Sequence, residues 1–237
     1  KGYSKAAKKI FDGHEVQIVS QINQYLIDAP KIIIKSRSKP ICDVPEIGIG
    51  NQPIDDGNYL FSKTEMDEFL KSEPGSEKFF HPWYGAQEFI DRKPRYCLYL
   101  GSASPSELKK LPKIMERVKQ VRQFRLSSKR ESTLKIAEAP TLFQTTNIPT
   151  TTFLLIPETS SENRAYIPIG FLKPDCLASN AVRILPNATL YHFGILTSST
   201  HMAWMRTVAG RLKSDYRYSK DIVYNNFPWP DLPAAPP

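Results

Sequence analysis

The 237-residue chain is long enough to bury a core as one large domain, or as one domain with part of another. With 41% hydrophobic and 24% charged residues its composition is that of ordinary globular protein, which excludes a disordered tail, and no apolar run reaches the length of a membrane span. A net charge of +8 and a pI near 9.3 point to an anionic partner, with DNA the first candidate. Cys42, Cys97 and Cys176 are odd in number and widely spaced, with no CxxC and no His at metal-ligand spacing. They read as idle thiols in a reducing compartment and, with no signal peptide at the start, predict a cytoplasmic protein that holds no metal.

Lys1 to Lys9 is basic and polar and reads as a fraying terminus. EVQIVSQI from Glu15 alternates apolar and polar, as a half-buried strand does. Asn23 to Asp28 reads as a turn, and Lys31 to Lys35 as a short β-branched strand. The chain thus opens within a sheet, as a fragment whose N-terminal neighbour is missing would. Ser36 to Asn58 is a turn-rich connector. Its GIGNQP lacks the Lys-Ser/Thr ending of a phosphate-binding loop, so turn chemistry accounts for the glycines.

Tyr59 to Phe61 predicts a strand. Ser62 and Glu65 form a capping box for a helix over 64–72, closed by Pro74-Gly75. Phe79 to Ala86 is strongly aromatic: Trp83 and Tyr84 read either as core or as a platform for a displaced base. Another element begins at Gln87, and Pro94 to Leu100 is a strand. A single basic helix is expected over 107–126, with Leu111, Ile114, Met115, Val118, Val121 and Phe124 on its apolar face. Lys109, Lys110, Lys113, Arg117, Lys119, Arg122 and Arg125 take the remainder, with Lys129 and Arg130 beyond. That excess of positive charge is either a solvated face or a phosphate-contacting one.

Thr133 to Gln144 reads as linker plus strand, Thr145 to Thr152 as a turn, and Phe153 to Ile156 as a buried strand. A polar loop, 157–165, precedes a strand over 166–172, whose central Pro168 marks an edge or bulge. A turn follows over 174–181. Leu190 to Leu196 reads as a strand, and Thr197 or Ser198 caps a helix over 200–208 that Gly210 stops. Gly210 to Tyr218 then forms a loop alternating base, acid and aromatic, followed by a last strand closed by prolines. No paired carboxylates and no Ser-His-Asp or Cys-His set stand in a recognisable context, and His192 and His201 read as packed histidines, so no catalytic residue is assigned.

Four blocks carry a family likeness in the right order: IKSRSKPICDVPEIGIGNQPIDDGNYLFS, EPGSEKFFHPWYGAQEFI with PRYCLYL, YIPIGFL, and LYHFGILTSSTHMAWMRTVAGRLKSDYRYS with VYNNFPWP. Together they resemble the MmeI-like (type IIL) family, in which one polypeptide joins an endonuclease, an adenine DNA methyltransferase and a target recognition domain. The resemblance, from about Ile32 to Pro230, implies that residues 31–232 are the target recognition domain. It makes 1–30 the last strands of the methyltransferase domain and 233–237 a linker. It implies double-stranded DNA as partner, alongside the methyltransferase and endonuclease domains of the same polypeptide. S-adenosylmethionine would serve the parent enzyme, not this fragment: the family's catalytic Asn-Pro-Pro-Tyr and cofactor glycines do not occur here, and Asn225-Asn226-Phe227-Pro228 is not that motif.

The family reads bases partly through a residue pair two apart after Gly-Arg, here Lys213 and Asp215. Lysine donates to the acceptors on guanine's major-groove edge and aspartate accepts from the cytosine amine, so the pair predicts a G·C base pair at one end of the site. The same likeness nominates Glu158 and Asn180 for an interior position, and Arg217, Ser214 and Ala181 beside a third. Against these stands the plainer alternative that Glu158 caps a loop while Arg217 pairs with Asp221. Arg211, Lys129, Arg130, Arg122 and Lys119 are the expected phosphate contacts. The fold class expected is α+β: a twisted, mostly antiparallel sheet with several packed helices and long loops. The competing readings are a methyltransferase fragment retaining part of the target-base pocket, with Trp83 and Tyr84 against a flipped base, and a scaffold whose basic face meets an acidic protein.

Overall fold

Five consecutive buried residues, Phe153–Pro157, make a strand enclosed on both faces, and much of the fold is laid around it. The computed structural model describes residues 7–23, 26–30 and 33–231. A hairpin of β1 (Lys8–Asp12) and β2 (Glu15–Val19) comes first, then a connector carrying β3 (Gly48–Ile49). Next are β4 (Leu60–Phe61), α1 (Lys63–Ser72), β5 (Phe80–Tyr84), α2 (Ala86–Asp91) and β6 (Arg95–Leu98). Helices α3 (Pro105–Leu108), α4 (Pro112–Leu126) and α5 (Glu131–Lys135) follow. The strands β7 (Phe153–Pro157), β8 (Thr159–Ser160), β9 (Gly170–Leu172), β10 (Leu177–Ala178) and β11 (Val182–Leu185) lead to α6 (Leu190–Leu196) and α7 (Ser199–Val208). The chain then forms β12 (Gly210–Leu212), β13 (Asp215–Arg217) and a π-helical turn over Lys220–Tyr224.

The protein is α+β, and among the described residues the named strands pair antiparallel except β5 with β10. The strands do not form one sheet. Among the described residues they divide into β1-β2, β10-β5-β6-β4, β3-β11-β7-β9 and β12-β13-β8. Strand β7 joins two cores by the period of two: Leu154 and Ile156 pack with Met202, Met205 and Tyr218, while Phe153 and Leu155 pack with Val182 and Ile184. A third core lies between β4, β5, β6 and the apolar faces of α1 and α4. Edge strand β9 starts two residues after Pro168, which has no N–H for the ladder.

Several local expectations hold in detail. The Ser62 hydroxyl accepts from the Glu65 amide at 3.2 Å and the Glu65 carboxylate accepts from the Ser62 amide at 2.7 Å, so α1 starts with both halves of its capping box. Ser198 caps α7, its hydroxyl accepting from the His201 amide at 3.1 Å. Others need correction. The basic helix is two helices, because Pro112 restricts Leu111 to a non-helical φ of −121° and opens α4 at its first position. Met115 is 40% exposed, off the buried face. The segment read as linker plus strand after Thr133 is α5 and a 3₁₀ turn (Ile136–Glu138). Leu190 to Leu196 is helical: the Thr189 amide donates to Nδ1 of His192 at 3.1 Å, a capping box closed by a histidine whose pKa partial burial lowers.

The expected strand after Tyr218 is the π-helical turn, and β2 is mostly exposed where a half-buried strand was expected. Ile33 to Lys35 lie outside any strand; Lys31 and Ile32 fall outside the described residues, as do Lys1–Ala6, part of the Asn23–Asp28 turn, and the proposed linker 233–237.

His201 shows what burial costs here. Its Nε2 lies 3.0 Å from the Tyr218 hydroxyl and its ring meets Phe227 edge-on at 4.4 Å. Desolvation pulls its pKa down to about 4, so the fold holds it neutral. The unfolded chain binds that proton near pH 6.5, so this contribution to stability is complete above about 6.5 and is lost as pH falls toward 4. The expected loss is about 3 kcal/mol, measured by urea titration across that window, and His201→Phe flattens it.

Candidate nucleic-acid interface

Gly210 to Tyr218, expected as a loop, is an antiparallel hairpin in which Leu212 faces Asp215 and Arg211 faces Tyr216. Lys213 and Ser214 form its two-residue tip, with Lys213 at φ +57° in the left-handed region. Gly or Asn adopts that conformation at little cost and a lysine does not, so the residue at this position carries local strain. The backbone is braced from below: the Arg211 guanidinium lies 3.7 Å over the Tyr216 ring, and its Nη1 donates to the Ser214 carbonyl at 2.8 Å. Lys213 is exposed and, among the described residues, its ammonium has no carboxylate partner. Asp215 is half-buried, its Oδ1 accepting from the Glu162 amide at 3.3 Å.

Strand β13 also pairs with β8, which brings Arg217 beside Thr159 and fixes the hairpin against the end of β7. Glu158 lies between these strands. Its Oε1 accepts from Nε of Arg217 at 3.2 Å and forms ion pairs with Nη2 of Arg217 at 3.1 Å and Nη2 of Arg183 at 3.3 Å. The alternative pairing of Arg217 with Asp221 is thereby overturned. On the other side of Glu158, its amide donates to the Ala181 carbonyl at 3.4 Å. Asn180 and Ala181, both exposed, occupy the tight turn between β10 and β11, closed by the Val182 amide on the Ser179 carbonyl at 3.2 Å.

That turn is held from beneath by the connector. The Asn51 amide donates to the Ala178 carbonyl at 2.7 Å, its side chain donates to the same carbonyl at 3.0 Å, and the Ser179 amide donates to Tyr84 at 2.8 Å. The backbones approach so closely that a Cβ on Gly50 would lie 2.1 Å from the Ser179 carbonyl, which restricts this position to glycine. Gly50 of GIGNQP therefore serves packing beneath the turn, while Gly48 lies against the Asn147 side chain. Lys213, Ser214, Asp215, Arg217, Glu158, Asn180 and Ala181, separated by as many as 59 positions of sequence, fall on one connected edge with Glu158 at its centre.

The other nominated residues separate. Lys119, Arg122, Lys129 and Arg130 are exposed, and none has an ion-pair partner among the described residues. Arg211 is exposed too, but much of its guanidinium braces the hairpin. Arg125, expected on the basic face, is fully buried and donates to five backbone carbonyls. Trp83 is 2% exposed and packs in the core of β4, β5 and β6, so its ring has no open face for a base to stack on; Tyr84 is half-buried against the β7–β11 core. Arg183 is a site residue that sequence reasoning does not nominate. Its signal is a lone arginine in the otherwise apolar strand Val182–Leu185, two residues after the turn at Asn180-Ala181.

The family described as MmeI, target recognition domain, matches residues 28–231. The chain belongs to that family. Among solved structures it is similar to one described as the type IIL restriction-modification enzyme MmeI in complex with DNA, at 44% identity and a TM-score of 0.90, covering 93% of this chain and 29% of that one. It is also 40% identical over 229 residues to DNA methyltransferase A of Bacillus subtilis (strain 168), covering 97% of this chain and 26% of the relative. The chain thus spans between a quarter and a third of the length of these relatives. Within the family's frame, the connected edge belongs to the recognition domain itself, since all seven of its residues lie inside the matched range. No helix among the described residues is long and apolar enough to cross a membrane.

Proposed function

We propose that this chain reads the sequence of double-stranded DNA through the major groove, as the target recognition domain of a type IIL restriction-modification enzyme. The observation that carries the reading is the convergence, on one braced edge, of residues whose donors and acceptors match base edges. Lys213 at the hairpin tip would donate to guanine and Asp215 would accept from its partner cytosine. Residues 1–30 are assigned to the methyltransferase domain and 31–232 to recognition; the methyltransferase and endonuclease domains of the same polypeptide are the intramolecular partners. The parent enzyme would methylate adenine from S-adenosylmethionine in the cytoplasm.

The competing reading, a retained piece of the methyltransferase pocket, lacks support. Trp83 is core, and the cleft beside it holds Asp55, whose Oδ2 already accepts from the Tyr59 amide at 2.7 Å.

Fluorescence anisotropy on a labelled duplex library at two salt concentrations, with sequencing of the bound fraction, tests the reading. A motif containing an invariant G·C pair is expected; binding that is blind to sequence would overturn it. The basic face gives a separate expectation. Each of Lys119→Gln, Arg122→Gln, Lys129→Gln and Arg130→Gln lowers affinity equally for all sequences and removes about 0.9 from the slope of log affinity against log salt. An unchanged slope in the quadruple variant would take this face out of the interface.

A further inference from the structure

Glu158 is the nominated base reader that meets two cations among the described residues, and the geometry of those partners is asymmetric. Both arginines converge on the same oxygen, Oε1, while Oε2 has no partner among the described residues. The two arginines also differ in freedom: the Arg217 side chain is 58% exposed and that of Arg183 is 19% exposed. Arg183 is fixed in the central strand β11, between β3 and β7, where it sits opposite Ile156. Arg217 ends β13, a strand of the hairpin that presents Lys213.

We infer that Arg183 is a specificity-positioning residue, which holds the Glu158 carboxylate by Oε1, leaves Oε2 to accept from a base amine, and frees Arg217 to contact a base in its turn. This rests on the reading of the edge as a base-recognition surface and deepens it.

The reason is electrostatic. A carboxylate that is 15% exposed needs a fixed cation to stay paired and oriented when DNA excludes water from the edge. Were Arg217 its sole partner, each contact Arg217 made to guanine would strip Glu158 of its counterion, and the two readings would compete. Arg183 removes that competition because it lies too deep to reach a base and stays paired in both states. An accepting oxygen selects a base amine, that of cytosine or adenine, over the keto oxygens of guanine and thymine. A carboxylate free to rotate, or one drawn fully to Arg217, loses that selection.

The test compares wild type, Arg183→Gln and Arg183→Lys on the same duplex library, reading preference at each base pair together with salt slope. Glu158→Gln locates the base pair that Glu158 reads. At that pair, discrimination of about tenfold or more in wild type is expected to fall below about threefold in Arg183→Gln. The Lys213–Asp215 pair keeps its preference and the salt slope is unchanged. Arg183→Lys, which retains the charge but not the forked geometry, recovers part of the discrimination. It also keeps the inference falsifiable should the glutamine variant fail to fold.

A uniform loss of affinity with an unchanged base profile and a slope smaller by about 0.9 would make Arg183 a phosphate contact and overturn the inference alone. An unaltered profile and slope in a folded variant would overturn it equally. Absence of any base preference in wild type would instead sink the proposed function, and the inference with it.

Discussion

Exchanging the charges of the hairpin, Lys213→Glu with Asp215→Arg, is expected to convert a G·C preference at one end of the bound motif into C·G. Each orientation is separated from the other by the worth of a good bidentate contact, roughly 1–3 kcal/mol or about five- to 150-fold in affinity. The double variant is the informative one because it leaves net charge unchanged. Lys213→Glu alone brings a second acid to the tip and repels phosphates whatever the sequence. Asp215→Arg alone adds a cation and raises affinity without discrimination. Backbone strain is also conserved, since Glu at φ +57° is no easier and no harder to hold than Lys. What is lost is the bond from the Glu162 amide to Asp215, so a thermal melt must accompany the binding profile. A double variant that folds and selects the same base pair as wild type would remove Lys213 and Asp215 from the reading set.

Legibility in the sequence follows the range of the interactions. Phe153 to Ile156 is readable as a buried strand because four consecutive apolar residues fit an element enclosed on both faces, and the Ser62–Glu65 cap is readable because both partners lie within one turn. Leu190 to Leu196 reads wrongly as a strand because its mostly apolar and aromatic residues fit either period, and the histidine closing its cap is not the usual glutamate or glutamine. The hairpin passes for a loop because its tip has no Asn-Gly, its turn conformation being borne instead by lysine. The site is legible through family resemblance rather than through pattern. Glu158 and Arg217 lie 59 positions apart, and nothing local in either segment marks them as partners.

Arg125 is legible when periodicity is weighed above charge: it follows Ile114, Val118 and Val121 at helical spacing, so it belongs to the inward face of α4.

Arg125→Met is expected to be more destabilising than any substitution on the reading edge or the exposed basic face. The guanidinium is fully buried and donates to the carbonyls of Ile54 (3.0 Å), Pro53 (2.7 Å), Ile136 (2.9 Å), Ala139 (3.1 Å) and Leu142 (2.8 Å). Those carbonyls come from two separate segments, so this one side chain ties the connector before β4 to the turns after α5. The second segment takes helical turns because a single extended strand points alternate carbonyls in opposite directions and could not aim three of them at one guanidinium. Removing the cation leaves the carbonyls of Pro53, Ile54 and Leu142 without a donor, while those of Ile136 and Ala139 keep the backbone amides of Ala139 and Leu142, and each buried unsatisfied carbonyl costs about 1–3 kcal/mol before the chain relaxes. Relaxation and water entry reduce that total, and a loss of about 4 kcal/mol is the expected result in urea unfolding. Arg125→Lys recovers only part of it, because three ammonium donors replace a planar fork of five. At a temperature where the variant remains folded, its DNA affinity and salt slope are expected to match wild type, since no atom of Arg125 reaches solvent. A variant with full stability and a reduced salt slope would mean instead that Arg125 turns outward to phosphate, and the fold's account of the basic helix would then be wrong at its centre.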